Sequence, residues 1–593
     1  MDRQAIIGFV LIAIVLIIWM SMNAPHPPAQ KVSHDTTSAQ SPEVERQISP
    51  VKIPEQAERK DSLGKFFGSA TAGVEKVFII ETDLYTAEIT SKGGLIRKWE
   101  LKNYKTWDGL PVQLVEFDKG GDYSLLFNSS DGKLINTRNL FFDSKLEPWY
   151  RVILGGKDSI TIELTAATSS GGKIIKSFLF KNGFYSFNSS VRFEHMEAVI
   201  SGFEYQVVWE NGLQYEEHNS IDESNFAMAY AYSGGELAEV DAAHHNESVK
   251  QSISGLTNWI AMRNKYFAAA IIPQEKLSQG AYLEGVAIKM PDNGIKEVYN
   301  MGIRMPFKAT PSEQASFIVF LGPLDFDIIK SYNNNLDQVM SLGAAWIIRP
   351  ISEWVMIPLF RFLQLFIPNY GVVIIIFSII IKVALHPLTK TSMKSMKKMQ
   401  ALQPMMEEIR EKHKDDPQKM NKQIMQLYKD YGVNPAGGCL PMLLQLPILY
   451  ALWAVFRSAI QLRQANFFWW ITDLSAPDVI VRLPFHLPLF GIQDISGLAL
   501  LMGITMFVQQ KMSIKDPRQK MMVWLMPLML TLLFNSFPSG LNLYYFVFNL
   551  LSIGQQMWIN KQHGNELLRK VEEKKKGGGI MSRITKNLPR IKK

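Results

Sequence analysis

Cysteine is almost absent from this sequence, and its scarcity excludes two kinds of site. The 593 residues include a single cysteine, Cys439. One thiol cannot form an internal disulfide, and it cannot supply a metal site that needs several cysteines. Cys439 also has no companion histidine or cysteine nearby in the sequence, so we interpret it as a packing residue.

Motifs for catalysis and nucleotide binding are also missing. The segment 68–73 has the glycine spacing of a phosphate-binding loop, but Val74 and Glu75 follow it in place of Gly-Lys-Ser/Thr. The adjacent His244 and His245 lack the spacing of a metal motif and are interpreted as part of a surface loop. We therefore predict no catalytic residue, no metal ion and no cofactor, and we predict that the protein is not an enzyme.

Long apolar runs are present, but they are confined to one part of the chain. Residues from about 343 onward contain several such runs, whereas residues 24–340 have the composition of a soluble protein. A chain of this length also exceeds one ordinary core. The net charge of +8 would suit nucleic acid or a membrane surface. The basic residues are concentrated in segments between and after the apolar runs, which favours a membrane surface over nucleic acid. We therefore predict a membrane protein with a large soluble domain and no DNA partner.

The amino-terminal segment predicts a membrane anchor followed by a tether. An apolar run ends at Met22 and follows Arg3. A cleaved signal peptide is the alternative, but the run is longer than usual and no Ala-x-Ala site follows promptly. We expect a retained anchor at 1–22. Residues 23–70 are rich in Pro, Ser, Gln and Glu, which predicts a flexible periplasmic linker.

The next segment, 71–342, predicts a β-sandwich domain. Short β-like runs alternate with glycine-rich turns, for example at 75–82, 159–164, 173–180 and 184–193. Many strands with few helical periods over about 250 residues indicate a sandwich. We expect a helix at 324–342 to close this domain.

The remaining chain predicts a polytopic α-helical membrane domain. The segment 343–368 is apolar but interrupted by charged residues and proline, which indicates an amphipathic helix lying in the membrane interface. A helical membrane core at 369–560 would then contain five spans, and the anchor makes six. The predicted spans are 371–388, 439–456, 497–512, 521–537 and 540–558.

The distribution of basic residues predicts the topology. The segment 389–438 holds ten Lys and Arg residues, and the tail after 559 holds eleven. The loop 457–496 holds three. By the positive-inside rule we expect both termini in the cytoplasm and the β-domain on the outer side of the membrane. We expect a cytoplasmic helical hairpin at 389–432 and a basic cytoplasmic tail at 561–593.

A lysine inside the first predicted core span needs an explanation. A lysine near the centre of a span costs roughly 2.5 to 3.5 kcal/mol on insertion scales, so Lys382 needs a partner, a wet cavity or a route to the interface. On a continuous helix Ser378, Lys382 and His386 form one polar stripe. Lys382 could snorkel to the interface, or it could be a cation that accepts acidic or polar groups of another molecule.

Further polar residues in the other spans could line the same cavity. They are Gln445, Thr505, Gln509, Asn549 and Ser552. The alternative is hydrogen bonding between helices that holds the bundle together. This alternative also suits Asn542, Asn549 and Gln556, whose spacing of seven places them on one helix face.

Several local motifs resemble those of the YidC/Oxa family of membrane protein insertases. The resemblance covers nearly the whole chain. It is carried by His-Pro-Leu-Thr-Lys at 386–390, Val-Asn-Pro-Ala-Gly-Gly-Cys at 433–439, Leu-Arg-Gln-Ala at 462–465, Phe-Pro-Ser-Gly-Leu at 537–541 and Asn-Trp-Ile-Ala at 258–261.

The resemblance implies a fold, a function and partners. It implies a periplasmic β-supersandwich, a five-span core and a positively charged groove open to cytoplasm and lipid. The arginine usual in that groove is Lys382 here, which keeps the charge but lacks the bidentate fork. Nascent membrane proteins would be the clients, with the Sec translocon, the ribosome and anionic lipids as further partners. No small-molecule substrate is expected.

Two other functions remain as alternatives at this stage. A small-solute transporter would predict repeated halves with discontinuous spans, which the sequence does not show. A membrane-anchored carbohydrate-binding protein would need neither Lys382 nor the hairpin. We expect an insertase at the bacterial inner membrane.

Overall fold

The computed structural model describes residues 63–243, 248–275, 278–291, 294–344, 346–433, 440–485, 492–514 and 520–562. They belong to two compact units that divide after Met340. Several predicted features lie outside the described residues. These are the anchor at 1–22, the linker up to residue 62, the pair His244 and His245, Cys439, and the tail from residue 563 onward.

The first unit is a β-domain with three sheets in its described part. The five-stranded sheet has the order β4-β3-β2-β1-β7, the eight-stranded sheet β13-β12-β15-β16-β19-β10-β9-β8, and the six-stranded sheet β14-β17-β18-β11-β5-β6. The strands are β1 Val77–Glu81, β2 Tyr85–Thr90, β3 Leu95–Lys105, β4 Pro111–Gln113, β5 Ser124–Asn128, β6 Leu134–Asn136, β7 Tyr150–Ile153, β8 Ser159–Ala167, β9 Lys173–Lys181, β10 Ser186–Glu194, β11 Glu204–Trp209, β12 Met228–Ser233, β13 Glu236–Val240, β14 Ser248–Ser254, β15 Thr257–Arg263, β16 Phe267–Pro273, β17 Gly280–Lys289, β18 Ile295–Pro306 and β19 Ser312–Pro323.

The register of neighbouring strands places aromatic side chains in the core. Phe187 of β10 pairs with Phe180 of β9 in an antiparallel ladder. Residues of β10 alternate between buried and half-buried along most of the strand, as expected when one face is covered. The ring of Phe187 lies 5.8 Å from that of Trp99 in β3 and 6.0 Å from that of Tyr123, which precedes β5. The eight-stranded sheet therefore packs against both smaller sheets, and the predicted strands at 75–82, 159–164, 173–180 and 184–193 are confirmed.

A buried lysine joins the three sheets. Lys176 of β9 donates hydrogen bonds from Nζ to the carbonyl oxygens of Gly94 at 2.6 Å and Tyr123 at 2.7 Å. Gly94 precedes β3 and Tyr123 precedes β5, so each sheet contributes one residue. Both carbonyls belong to residues with positive φ, 58° and 80°. Burial lowers the pKa of Lys176 to about 7, because the charged ammonium is removed from water.

The end of the β-domain differs from the single helix predicted at 324–342. The structure has a short helix α2 (Phe326–Ser331) and a 3₁₀ turn (Leu336–Val339), and an earlier short helix α1 covers Ser220–Ser224. Asn333 and Asn335 adopt positive φ between α2 and the turn, which ends the helical path. The prediction of one continuous helix was wrong because it ignored this run of asparagines, which tolerate left-handed backbone.

The second unit is mainly helical. A π-helical turn at Ser352–Met356 joins its first two helices, and a two-stranded sheet precedes the helix Gly497–Ser513. The elements are α3 Ile348–Ile351, α4 Ile357–Gln364, α5 Tyr370–Ala384, α6 His386–Ala401, α7 Gln403–Lys412, α8 Pro417–Asp430, α9 Leu440–Ser458, β20 Val479–Arg482, β21 Asp494–Ser496, α10 Gly497–Ser513, α11 Lys520–Phe534 and α12 Ser539–Gln562.

The predicted amphipathic helix at 343–368 corresponds to α3, the π-helical turn and α4. Arg349 and Glu353 form an ion pair at 2.6 Å, while Trp354, Phe362 and Leu365 are exposed. Exposed aromatic side chains beside paired charges are typical of a helix in a membrane interface. That location remains a prediction.

The five predicted core spans fall on α5, α9, α10, α11 and α12. Among the described residues, no single helix meets a combined length and hydropathy criterion for a membrane span. The consecutive helices α5 and α6 meet it together, with a bend of 64° between them. The α10 and α11 helices approach so closely at Gly503 that a methyl group on this residue would collide with Thr531 Oγ1.

The two ends of the helical unit are built from different segments. At one end, called the loop end, residues within 459–485 contact three helix amino termini. Phe467 packs against Gly371 of α5, Gly497 of α10 donates from N to Asp478 O, and Gly540 of α12 donates from N to Leu474 O.

The opposite end, called the hairpin end, carries α6, α7 and α8. Gln400 of α6 donates to the carbonyl of Ser513 at the end of α10, and Lys397 donates to that of Asn560 near the end of α12. The hairpin has a small core of its own, which consists of Leu402, Met406, Tyr431 and Val433. The loop end and the hairpin end therefore lie at opposite termini of α10 and α12.

Candidate functional site

The candidate site begins with the helix that carries Lys382. Asn369 caps α5, because its side-chain oxygen accepts a hydrogen bond from Val372 N at 3.1 Å. The apolar run then forms α5 as far as Ala384, and α6 begins at His386. Pro387 has no N–H and its ring would clash with a helical carbonyl four residues earlier, which favours the 64° bend seen between α5 and α6. The predicted span 371–388 is therefore not one straight helix.

Lys382 is buried against α12. Its side chain is 7% exposed, and Nζ donates to Ser552 Oγ at 2.6 Å. The ammonium also lies 4.5 Å from the centre of the Phe548 ring, a cation–π contact. Ser552 Oγ in turn donates to Phe548 O at 2.8 Å. Within the described part of the chain, Lys382 forms no ion pair with a carboxylate, so its positive charge is balanced only by neutral dipoles.

A second polar contact lies beyond the bend, between α6 and the next turn of α12. Gln555 Nε2 lies 3.0 Å from His386 Nδ1 and donates to Thr389 Oγ1 at 3.2 Å. Ser552 and Gln555 are three residues apart and share one face of α12. The structure therefore pairs Lys382 with Ser552 and His386 with Gln555, although α5 and α6 diverge at the bend.

The predicted stripe of Ser378, Lys382 and His386 is only partly formed. Ser378 is fully buried, and its hydroxyl donates to the carbonyl of Ile374 in its own helix at 2.7 Å. A serine in a helix can satisfy its hydroxyl in this way without any partner helix. His386 belongs to α6, not α5. The expectation of a continuous stripe failed because it assumed a straight helix through residue 386.

Two further predicted residues meet elsewhere in the bundle. Asn549 Nδ2 lies 3.4 Å from Thr505 Oγ1, and Thr505 donates to Met502 O at 2.8 Å. Both side chains are buried between α10 and α12. This contact has the form of a hydrogen bond that holds two helices together. Gln445 and Gln509 are half-buried on α9 and α10, and neither is joined to Lys382 by a hydrogen bond in the described residues.

Three residues of this region were missed in the sequence. Phe548, Gln555 and Thr389 contact the predicted site residues directly. The spacing of Ser552 and Gln555 was an available signal, because two polar residues three positions apart lie on one helix face. That spacing alone does not tell which face of α12 packs against α5.

In the described part of the chain, no group of three or more His, Cys, Asp or Glu side chains could hold a metal ion. The pair His244 and His245 lies outside the described residues. The buried charges of the β-domain have structural partners, such as Lys265, whose Nζ lies 2.7 Å from Asp222 Oδ2.

Comparison with known proteins assigns the chain. Two family models match: the YidC periplasmic domain over residues 78–354 and the 60 kDa inner membrane protein over residues 362–566. The membrane protein insertase YidC of Chloroherpeton thalassium is 38% identical over 574 residues, covering 95% of this chain and 96% of the relative. The chain belongs to the YidC family of membrane protein insertases. The YidC protein of Chlorobaculum parvum is 37% identical over 578 residues, covering 95% of this chain and 96% of the relative.

Family membership decides several expectations. As a YidC protein the chain is an insertase and not an enzyme, and it has a β-rich periplasmic domain at the inner membrane. A solved YidC insertase covers 84% of this chain and 95% of its own, at 19% identity and a TM-score of 0.34. A putative aldose 1-epimerase of Escherichia coli K12 covers 42% of this chain and 99% of its own, at 8% identity and a TM-score of 0.25. Neither likeness carries an argument about activity.

Proposed function

We propose that this YidC protein inserts nascent membrane proteins through a polar groove beside Lys382, without nucleotide hydrolysis. The observation that carries the proposal is the bonding of Lys382. An ammonium has three hydrogen-bond donors. The described residues offer this one a single hydroxyl acceptor and no ion-pair partner. A polar or acidic client segment could therefore gain contacts that the resting protein does not supply.

The topology belongs to the same proposal. Six spans would place both termini in the cytoplasm, with spans on 1–22, α5, α9, α10, α11 and α12. The basic hairpin at one end of the helical unit and the sparsely basic loop at the other support this orientation. Lys382 would then lie towards the cytoplasmic side, since it is three residues from the bend that leads into α6.

The proposed mechanism separates the polar and apolar parts of a client. The hairpin meets the nascent chain first, and a short hydrophilic segment enters beside Lys382. Hydroxyl, amide and ammonium groups replace part of its lost hydration, which lowers the cost of leaving water. The client's apolar helix moves into lipid along α9 and α11, where Tyr450, Trp524 and Leu528 are exposed. Burial of that helix, helped by the membrane potential on acidic segments, provides the driving force.

The predicted groove residues divide into three groups under this proposal. Lys382, Ser552 and His386 form the polar wall, together with Gln555. Thr505 and Asn549 hold α10 to α12. Ser378, Gln445 and Gln509 remain candidates for the wall, and none is needed for the cation's position.

Further partners are proposed from charge. The basic residues of 389–432 and of the tail at 561–593 suit anionic lipid headgroups, at about 1 kcal/mol per charge near the surface. They equally suit ribosomal RNA during synthesis. Cooperation with the Sec translocon is consistent with the family. A transporter or a carbohydrate-binding protein is not favoured, because relatives named as insertases match almost the full chain.

Substitution of Lys382 tests the role of the charge. Lys382→Ala and Lys382→Arg would be compared with the parent in vesicles, by measuring insertion of a single-span client with an acidic tail. We expect Lys382→Ala to lower insertion about tenfold or more, equivalent to roughly 1.4 kcal/mol, and Lys382→Arg to retain most of it. Lys157→Ala removes an exposed lysine of the β-domain and is the matched control.

The outcomes are distinct. Unchanged insertion by Lys382→Ala would reject an essential role for the charge, whereas no insertion by the parent would reject autonomous insertion. Crosslinking from Tyr450 of α9 and Leu528 of α11 to a stalled client checks the proposed path. Labelling of soluble periplasmic ligands alone would contradict it.

A further inference from the structure

We infer that the loop end carries a surface that rests in the outer-leaflet interface of the bilayer. This surface, the outer apolar patch, consists of Phe468, Trp469, Val479, Ile480, Val481 and Phe485. The inference rests on the proposed topology, which places the loop 457–496 on the periplasmic side. It adds a lipid contact made by a hairpin and not by a span.

The patch is exposed on both faces of a strand. Successive residues of a strand point to opposite faces, so a hairpin packed on protein buries every second side chain. All four residues of β20 are exposed instead, with Val479 at 44%, Ile480 at 45% and Val481 at 51%. The strand pairs only with β21 in the described residues. Valine and isoleucine on both faces of so small a sheet favour a non-aqueous environment.

The strand is continuous with exposed aromatic side chains. Residues 467–470 form a run of four aromatic side chains. A methyl group placed on Gly497 would lie 3.0 Å from both Ile480 Cγ2 and Trp470 Nε1, so β20 and this aromatic run meet at the start of α10. Within that run Phe468 is 66% and Trp469 82% exposed. Tryptophan is enriched at membrane–water interfaces, because its ring is apolar and its N–H is polar. The patch therefore continues the surface of a helix that we place in the membrane.

The charges at the patch are internally compensated. Arg482 and Asp494 form a two-point ion pair across the hairpin, at 2.7 and 3.3 Å. Asp478 is buried and accepts hydrogen bonds from Ser496 Oγ, Trp470 Nε1 and Leu498 N. No uncompensated carboxylate of these residues would repel an anionic headgroup. A soluble protein partner would more commonly find a polar rim with charges available for pairing.

The hairpin is also held firmly enough to keep its position. Asn535, at the end of α11, accepts a hydrogen bond from Ser496 N at 2.9 Å and donates to Asp494 O at 2.6 Å. The base of the sheet is thus attached to two helices of the bundle. Its depth in a bilayer would follow that of α10 and α11.

Site-specific fluorescence tests the inference, because the chain has a single native cysteine. A Cys439→Ser background would carry Val481→Cys, labelled with an environment-sensitive dye. Leu528→Cys on the exposed face of α11 is the lipid-facing control, and Gln251→Cys on β14 is the aqueous control. Each protein is reconstituted into phosphatidylcholine–phosphatidylglycerol vesicles. Quenching is measured with lipids that carry a nitroxide near the headgroup for position 481 or near the end of the acyl chain for position 528 and, separately, with iodide on both sides of the membrane.

We expect the dye at position 481 to be quenched by the lipid nitroxide at least twice as strongly as the dye at position 251, and to be protected from iodide. Quenching at 481 by iodide alone, while position 528 responds to lipid, would overturn the inference and leave the proposed topology intact. If the dye at position 528 is not quenched by the lipid nitroxide, the proposed topology is wrong, and the inference that rests on it is overturned as well. Protection at 481 from both quenchers would indicate that the residue is buried against protein and would also overturn the inference. Insertion activity of each labelled protein checks that it is folded.

Discussion

Each unit of this molecule buries a lysine, and the two lysines are held very differently. Lys176 in the β-domain gives hydrogen bonds to two backbone carbonyls and lies 5.0 Å from the Tyr123 ring. Lys382 in the helical unit gives one hydrogen bond to a hydroxyl and lies over one ring. Backbone carbonyls are fixed by the sheets around them, whereas the Ser552 hydroxyl can rotate.

The difference shows that burial alone does not identify a functional cation. The two acceptors of Lys176 are rigid backbone carbonyls that belong to two sheets, and the lysine belongs to the third, so it is part of the framework. Lys382 has fewer and weaker acceptors, which leaves its charge available to a polar group that arrives from outside. We therefore expect substitutions at Lys176 to change stability, and substitutions at Lys382 to change insertion.

The largest expected effect is the loss of stability in Lys176→Ala. The change would leave two buried carbonyls without donors and a cavity beside them, which together cost about 3 kcal/mol or more. Hydrogen exchange of β3, β5 and β9 in the full-length protein would measure the free energy of unfolding. Lys173→Ala, an exposed position on the same strand, is the control. Equal protection from hydrogen exchange in the two variants would show that Lys176 does not stabilise the β-domain.

The pH dependence of the β-domain should carry the signature of Lys176. Its pKa is about 7 in the folded protein and 10.5 for an ordinary lysine, so between these values only the unfolded state holds the proton. Stability relative to Lys176→Met should then rise with pH above 7 by up to ~1.4 kcal/mol per pH unit, and be flat below it. Denaturant unfolding at pH 6, 7, 8 and 9 would measure this difference. A difference that falls above pH 7 would contradict the assigned direction.

Lys382→Met should separate stability from function. A buried charge with few partners can be replaced by an apolar side chain of similar length at little cost. We expect a change in unfolding free energy below ~1 kcal/mol, together with a clear loss of insertion of acidic clients. Thermal unfolding in detergent and vesicle insertion would be measured on the same preparation. A large destabilisation would make Lys382 a framework residue like Lys176.

The smallest effect is expected for Ser552→Ala. The ammonium would keep the Phe548 ring but lose its hydroxyl acceptor, and the net value of such a hydrogen bond is about 1 kcal/mol. Insertion should fall two- to fivefold, less than for Lys382→Ala. Thr531→Ala, at a different helix contact, is the control. A loss as large as that of Lys382→Ala would show that Ser552 acts on clients directly.

The sequence was sufficient for periodic features and insufficient for contacts between distant segments. Alternation and turn residues predicted four strands of the β-domain, and apolar runs located α5, α9, α10, α11 and α12. The bend at Leu385 was missed because the apolar run continues through it as far as Leu388. The role of Lys176 depends on carbonyls 53 and 82 residues away, which no local pattern records.

The bend at Leu385 also limits how thick a hydrocarbon layer α5 can match. The α5 helix has 15 residues, from Tyr370 to Ala384, and a length of about 22 Å. A typical hydrocarbon core is about 30 Å thick. A bilayer beside this helix would have to become thinner or admit water over the difference. Either response shortens the apolar distance that a client's polar segment must cross, so the short helix itself would contribute to insertion.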